Sequence, residues 1–363
     1  MQKNLKIGIA VAAAAILVGT GVYAGYVLSN PGSPCPSSTS ASTSSSGAVK
    51  SAGTAAAISG AEARVPRTTV APVHASSEKP LPSSPGQVIN VVAAENFWGS
   101  LVAQIGGIHV NVTSIVTDPN TDPHEYQAND SDAKAIAAAQ YVIVNNVGYD
   151  TWATQLIGAD GDTNQTILNV GDSLGVSVTG GIVTGNPHLW YNPAYVNQTV
   201  AWMYHNLTTI APSLSGYFTD QYDNLTASLG ALYSHVTEIK DLFHGTEVAS
   251  TESIFVYLAN ATGLDLVSPP AFMEAIAENN DPPDSSVVEF ECQLESGNVK
   301  VLVYNEQTVT PITTTMKQIA AAHNVTTIFV TETLQPPGNT FQEWMLTEFN
   351  NLENALNANA LGQ

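Results

Sequence analysis

The feature that most restricts the fold is a stripe of apolar residues near the middle of the chain, at Phe218, Tyr222, Leu225, Leu229, Leu232, Val236, Ile239 and Phe243. Alternating steps of three and four put all eight on one side of an α-helix. About 26 residues of helix measure roughly 39 Å at 1.5 Å per residue, enough to run the length of a two-lobed molecule. The segment 218–244 therefore reads as a stiff connector, and whatever it joins lies on either side of it in sequence.

On both sides, apolar runs of strand length alternate with helical patterns. Ahead of the connector, Val88-Ile-Asn-Val-Val-Ala-Ala94 has the pattern of a buried strand and 95–105 that of an amphipathic helix. Strand-like 110–116, helix-like 130–139 and the apolar run 141–144 follow. Beyond the connector, 253–261 and 313–322 read as helices, and 299–304 and 326–330 as strands. Alternation of this kind predicts parallel sheets. The expected class is α/β, with two (β/α) lobes at 88–217 and 245–358 joined by one long rigid helix, and a short tail at 359–363.

What precedes residue 88 has a different character. Ser, Ala, Thr, Pro and Gly dominate 29–87, with too few large apolar residues to offset the entropy of ordering the chain, so this part reads as a flexible linker. The uncharged run 7–28 is long enough to cross a bilayer. Lys3 and Lys6 precede it and no basic residue follows before Lys50, which predicts that the remainder is extracytoplasmic. The run reads as a membrane anchor, or as a signal peptide if the chain is cut after Val22-Tyr23-Ala24. Cys35, in Gly-Ser-Pro-Cys-Pro, lacks the residues that precede a lipidated cysteine. With Cys292 the only other cysteine, neither a disulfide framework nor a Cys-x-x-Cys metal motif is indicated. Acids outnumber bases 31 to 10, a net charge of −21, which repels phosphate backbones and draws cations inward, so nucleic acid is excluded as a partner.

Two histidines share a context, Asp122-Pro-His124-Glu-Tyr126 and Asn186-Pro-His188-Leu-Trp190. Each follows a proline, which fixes the approach of the chain, and each falls where a loop mouth would leave an imidazole nitrogen free to act as a ligand. Together with the opening strand through Trp98, and with Thr331-Glu-Thr-Leu-Gln-Pro-Pro337, these motifs resemble the zinc and manganese substrate-binding proteins of ABC importers. The resemblance spans roughly 88–358. It implies a metal held between the lobes by four side chains, the first two being His124 and His188. Ser250-Thr-Glu252 resembles the turn that carries the third ligand, and Glu332 stands where the family has its last carboxylate, more often Asp. His124, His188, Glu252 and Glu332 are thus the expected metal ligands. Asp122, Glu125, Asn186 and Asn192 are candidates to orient the imidazoles, and Trp98 and Trp190 are candidates either for lining the cleft or for plain core.

Two imidazoles and two carboxylates suit Zn²⁺ or Mn²⁺, and also Fe²⁺. Both imidazoles must be neutral to bind, so affinity should fall as pH drops through the usual histidine range. A filled shell of four ligands implies a binding protein and no enzyme. The expected partners are the metal ion, an ABC permease and the membrane, with the protein itself a monomer. Two other functions fit a stalked exterior protein: a surface adhesin on the same fold, or a zinc hydrolase with Glu125 or Glu332 as base. No His-Glu-x-x-His or Gly-x-Ser-x-Gly motif supports the hydrolase. The family's His-rich loop between the two histidines is missing, which weakens a reading restricted to zinc.

Overall fold

The computed structural model describes residues 88–360 except 162–163, 177, 180–181 and 184, and side chains are described outside 177–184. The expected anchor, the linker and Cys35 lie outside the described residues. Among the described residues no helix is long and apolar enough to cross a membrane.

The first lobe is built on a parallel sheet of β1 (Ile89–Glu95), β2 (Val110–Val116), β3 (Tyr141–Val144) and β4 (Thr166–Asn169), in the order β2-β1-β3-β4. Residues of the central strands alternate between two cores. Val91, Ala93, Tyr141 and Ile143 point into the main core, and Val92, Ala94, Val142 and Val144 into a smaller one with Ile136 and Ala153. Those last two residues come from α2 (Asp130–Ala138) and α3 (Thr151–Asp160). Apolar side chains on both faces are the mark of a parallel strand covered by helices on both sides. The opposite face is covered by α1 (Asn96–Gly106), and Gly107, at φ 51°, turns the chain from α1 toward β2 where any side chain would strike Tyr217. A short helix α4 (Val170–Leu174), a two-stranded antiparallel ribbon of β5 (Val178–Thr179) and β6 (Ile182–Val183), and α5 (Pro193–Ile210) complete the lobe.

The connector is α6, Ser215–Phe243, which begins three residues earlier than the apolar stripe suggested. Seven of its side chains are buried, and all belong to the eight-residue stripe; Tyr222, the eighth, is only partly buried. The helix packs against α1 and α5 of the first lobe and against α7 (Val256–Thr262) and α11 (Phe341–Ala360) of the second. One continuous core, from Ile89 through Leu229 to Leu352, runs along it.

The second lobe repeats the plan. Strands β7 (Glu247–Ser250), β8 (Asp265–Leu266), β9 (Val301–Asn305) and β10 (Thr326–Val330) form a parallel sheet in the order β10-β9-β7-β8. Numbered within the lobe, this is again 2-1-3-4. Its outer core is filled from α8 (Pro270–Ala277), α9 (Asp284–Glu295) and α10 (Pro311–Ala322). Cys292 lies on α9, and the other cysteine lies outside the described residues.

Behind the cleft the lobes are tied by reciprocal bonds between Asn96 and the backbone of Leu334, at 2.9 and 3.2 Å, and by Ser100 Oγ, which accepts the Phe341 N–H at 3.0 Å. The helical connector and this seam leave little freedom for one lobe to swing on the other. Gly230 sits exposed in the interior of α6 with open space where a Cβ would stand. Gly230→Ala should therefore stabilise the protein by about 0.5–1 kcal/mol, read as a higher thermal midpoint, through the lower entropy of the unfolded chain.

Candidate metal centre

All four side chains singled out in the sequence meet between the lobes. His124 lies in a 3-10 turn, Pro123–Glu125, that Asp122 opens by accepting the His124 backbone N–H on Oδ1 at 2.9 Å. His188 directly precedes a second such turn, Leu189–Tyr191, whose three side chains are buried and fix its base. Asn186 accepts the His188 backbone N–H at 2.9 Å, and the same Oδ1 stands 2.7 Å from His188 Nδ1. That contact assigns the ring proton to Nδ1 and leaves the Nε2 lone pair facing the cleft, the arrangement a ligating histidine needs. Glu252 stands two residues beyond β7 and Glu332 two beyond β10, so both carboxyls project from the carboxyl ends of parallel strands, where α/β sheets place their ligands.

His124 Nε2 is 3.6 Å from Glu332 Oε2, and His188 Nε2 is 3.7 Å from Glu252 Oε1. The donor atoms of His124, His188 and Glu332 all fall within 4.8 Å of one another, with Glu252 outside that trio but against His188. Donors about 2.1 Å from one tetrahedral ion stand about 3.4 Å apart, so the spacing fits a single ion. His188, Glu252 and Glu332 are fully buried, whereas His124 keeps 18% of its side-chain surface exposed. Three buried donor atoms, His124 Nε2, His188 Nε2 and Glu252 Oε2, have no hydrogen-bond partner. An unpaired buried polar atom costs on the order of 1–3 kcal/mol. A cation bound among them would satisfy the nitrogen and oxygen lone pairs together.

Side chains that the sequence reading did not single out hold the carboxylates. Asn305, the last residue of β9, points its amide between them, donating to Glu332 Oε1 at 2.5 Å and Glu252 Oε1 at 3.3 Å. Tyr149, from the first lobe, donates its hydroxyl to Glu332 Oε2 at 2.8 Å while its ring stands edge-on to His124. Tyr149 reaches that position through a strained loop, where Asn146 and Val147 have φ of 62° and 57°. A β-branched residue in the left-handed region costs about 1–3 kcal/mol. Asp150 holds the loop by accepting the N–H groups of Asn145 and Asn146, each at 2.7 Å, and Glu95 lies buried beside it with its carboxyl pushed well above the usual range by burial and by Asp150.

Of the orienting candidates, Asn186 acts on an imidazole and Asp122 on the backbone of His124. Glu125 instead accepts from Asn279, and Asn192 caps α5 by accepting from Ala194 and Tyr195. Trp98 and Trp190 are both at most 1% exposed; Trp98 belongs to the core, whereas Trp190 stacks on Phe97 and also stands edge-on to His188, 5.3 Å between ring centroids. The signal that could have revealed Asn305 is a polar residue closing the apolar run Val301-Leu-Val-Tyr304, at the end of a central strand.

Comparison with known proteins identifies the family and the fold. A family model described as the zinc-uptake complex component A, periplasmic, matches residues 91–355. The manganese-binding lipoprotein of Halalkalibacterium halodurans is 23% identical over 195 residues, which is 51% of this chain and 61% of that protein; this chain thus spans less than two thirds of that relative. Among solved structures, the periplasmic zinc-binding protein of Treponema pallidum superposes with a TM-score of 0.63 at 16% identity, covering 74% of this chain and 99% of its own. A laminin-binding adhesin of Streptococcus agalactiae gives 0.60 at 17% identity, with the same coverages. At such identities the structural matches establish the fold: two parallel sheets with interleaved helices, as expected from the sequence.

The electrostatics alter the expected pH dependence. Burial, reinforced by the charge of His124, pushes the His188 imidazole well below its usual range, so it is already neutral. Burial raises Glu332 above the usual carboxylate range and, with the repulsion of Glu332 added, raises Glu252 well above it. The metal-free carboxyls therefore keep their protons to higher pH than ordinary carboxyls do, and a cation competes with those protons. Stability drawn from such raised carboxyls is present below their unfolded pKa and fades as pH rises through the folded values. Loading with Zn²⁺ or Mn²⁺ near pH 7 should release protons, seen in titration calorimetry as a binding heat that changes with the ionisation enthalpy of the buffer, and affinity should rise with pH. A heat independent of buffer would exclude protonated carboxyls.

Proposed function

The chain belongs to the zinc-uptake complex component A family, and from that premise we propose that it is an extracytoplasmic receptor that captures one Zn²⁺ or Mn²⁺ ion and delivers it to an ABC importer. The observation that carries this reading is the convergence of two imidazoles from one lobe and two buried carboxyls from the other, with three of their donor atoms otherwise unpaired.

In this reading His124, His188, Glu252 and Glu332 are the ligands. A divalent ion neutralises the two carboxylates, and the four side chains complete a tetrahedral shell with no position left for a reactive water, which favours binding over catalysis. Fe²⁺ fits the same donors, and the harder carboxylate pair suits Mn²⁺ as well as Zn²⁺. The net charge of −21 would raise the local concentration of cations around the cleft. Family membership also speaks against the hydrolase, since members are solute-binding proteins. The permease partner, the monomeric state and attachment to the membrane through the run 7–28 belong to the proposal, as do the lobe boundaries at 88–217, 218–244 and 245–358. Supporting the monomer is the main core itself, which closes within one chain along α6.

The resemblance to a laminin-binding adhesin keeps surface adhesion as the competing function on the same fold. Native mass spectrometry of the full chain, offered Mn²⁺, Fe²⁺ and Zn²⁺ together, separates the two. One ion per chain in the wild type is expected, with affinity reduced by more than roughly 100-fold in His124→Ala and in Glu332→Ala, since even residues behind a ligand are worth 10- to 100-fold. Absence of stoichiometric metal would remove capture as the function and leave adhesion.

A further inference from the structure

The four donors differ in how they are shut in. His188, Glu252 and Glu332 have no exposure, and His124 alone of the four reaches the surface. His124 borders a cavity of about 830 Å³ whose rim includes Glu125, Glu274 and Glu278. Movement of the segment 121–125 would draw His124 off the ion and open the site to this cavity, and the rate of that movement depends on what holds the segment down.

Two amide side chains of the second lobe hold it. Gln307 lies two residues past Asn305, whose Oδ1 accepts its backbone N–H at 2.9 Å. Its Oε1 accepts the backbone N–H groups of Glu332 at 2.7 Å and Thr333 at 3.0 Å, with the Thr333 hydroxyl at 3.2 Å. Its Nε2 reaches across to the other lobe and donates to the Thr121 carbonyl at 2.8 Å. One side chain thus joins the backbone that carries Glu332 to the segment that carries His124. On the other flank of His124, Asn279 donates its amide to Glu125 Oε1 at 3.0 Å and stands 3.5 Å from Asp122 Oδ2. The side chain reaches there from a residue in the left-handed region, φ 55°, which asparagine tolerates better than most residues. His188 is tied in another way, through Asn186, which donates to the Ser253 carbonyl at 2.6 Å and accepts from Tyr257 through its own carbonyl at 3.0 Å.

We propose that Gln307 and Asn279 are positioning residues that latch the Thr121–Glu125 segment to the second lobe and thereby set how fast the ion is released. This rests on the reading that the site holds an ion. Gln307→Glu isolates the latch, because the carboxylate keeps an acceptor for Glu332 and Thr333 while an oxygen replaces the donor that faces Thr121. Asn279→Ala removes the second contact without touching a ligand.

The test is stopped-flow release of Zn²⁺ or Mn²⁺ from the full chain into excess chelator, with amide hydrogen exchange of the metal-free protein alongside. Each variant should release the ion roughly tenfold faster, as expected for one net hydrogen bond lost. The double variant should multiply the effects, and exchange of the metal-free protein should quicken over 121–126. Release within twofold of the wild type in both variants would overturn the latch. If the wild type itself holds no ion, the proposed function fails, and exchange over 121–126 decides the latch alone: faster in the variants supports it, unchanged overturns it.

Discussion

The structure depends on the burial of two carboxyl groups, Glu252 and Glu332, in contact with the same Asn305 amide and, among the described residues, with no lysine or arginine paired to them, only two imidazoles beside them. Lys134, Lys240, Lys300 and Lys317 are the only lysines or arginines between residues 88 and 360, and none forms an ion pair with either acid. Two like charges cannot both persist so close together without water, so the site holds either protons or a cation. That alternative makes capture reversible, because metal and protons compete for the same oxygens. It also explains the aromatic wall around the site: Tyr149 and Trp190, packed within ring contact of the histidines, exclude the water that would otherwise solvate the acids.

The two lobes solve the same positional problem in the same way. Two residues beyond the last pairing of β1 with β3, at Ala93 and Ile143, come Glu95 and Asn145. Two beyond the last pairing of β7 with β9, at Ser250 and Val303, come Glu252 and Asn305. In the second lobe this Glu–Asn pair faces the cleft and orients a ligand. In the first, Asn145 accepts from Trp98 and donates to the Pro187 carbonyl, next to His188, while Glu95 is sealed beside Asp150. One asparagine thus places carboxylates and its counterpart places an imidazole. Both stand where the strand order of a 2-1-3-4 sheet reverses, the crevice that such sheets offer to ligands.

Much of this was legible in the sequence, for identifiable reasons. The connector showed because its apolar period persists over seven turns, and the central strands because parallel burial makes them apolar runs, as at Tyr141–Val144 and Val301–Tyr304. His124 and His188 showed through their prolines, and Glu252 and Glu332 through motif resemblance. Gln307, Tyr149 and Asn279 did not show, because each acts through a partner 154 to 186 residues away and no local pattern marks it; Asn305 was marked only by its place after an apolar run. The burial of the site was hidden for the same reason: only the fold reveals that His188 has no solvent and that both acids are buried beside it.

The most direct test of the central claim is anomalous diffraction from a crystal of the full chain grown with Mn²⁺, collected where manganese scatters anomalously. The account predicts one peak per chain, about 2.1 Å from His124 Nε2, His188 Nε2 and oxygens of Glu252 and Glu332. A peak coordinated elsewhere, or one from which Glu252 and Glu332 stay detached and hydrogen-bonded to Asn305 alone, would contradict it.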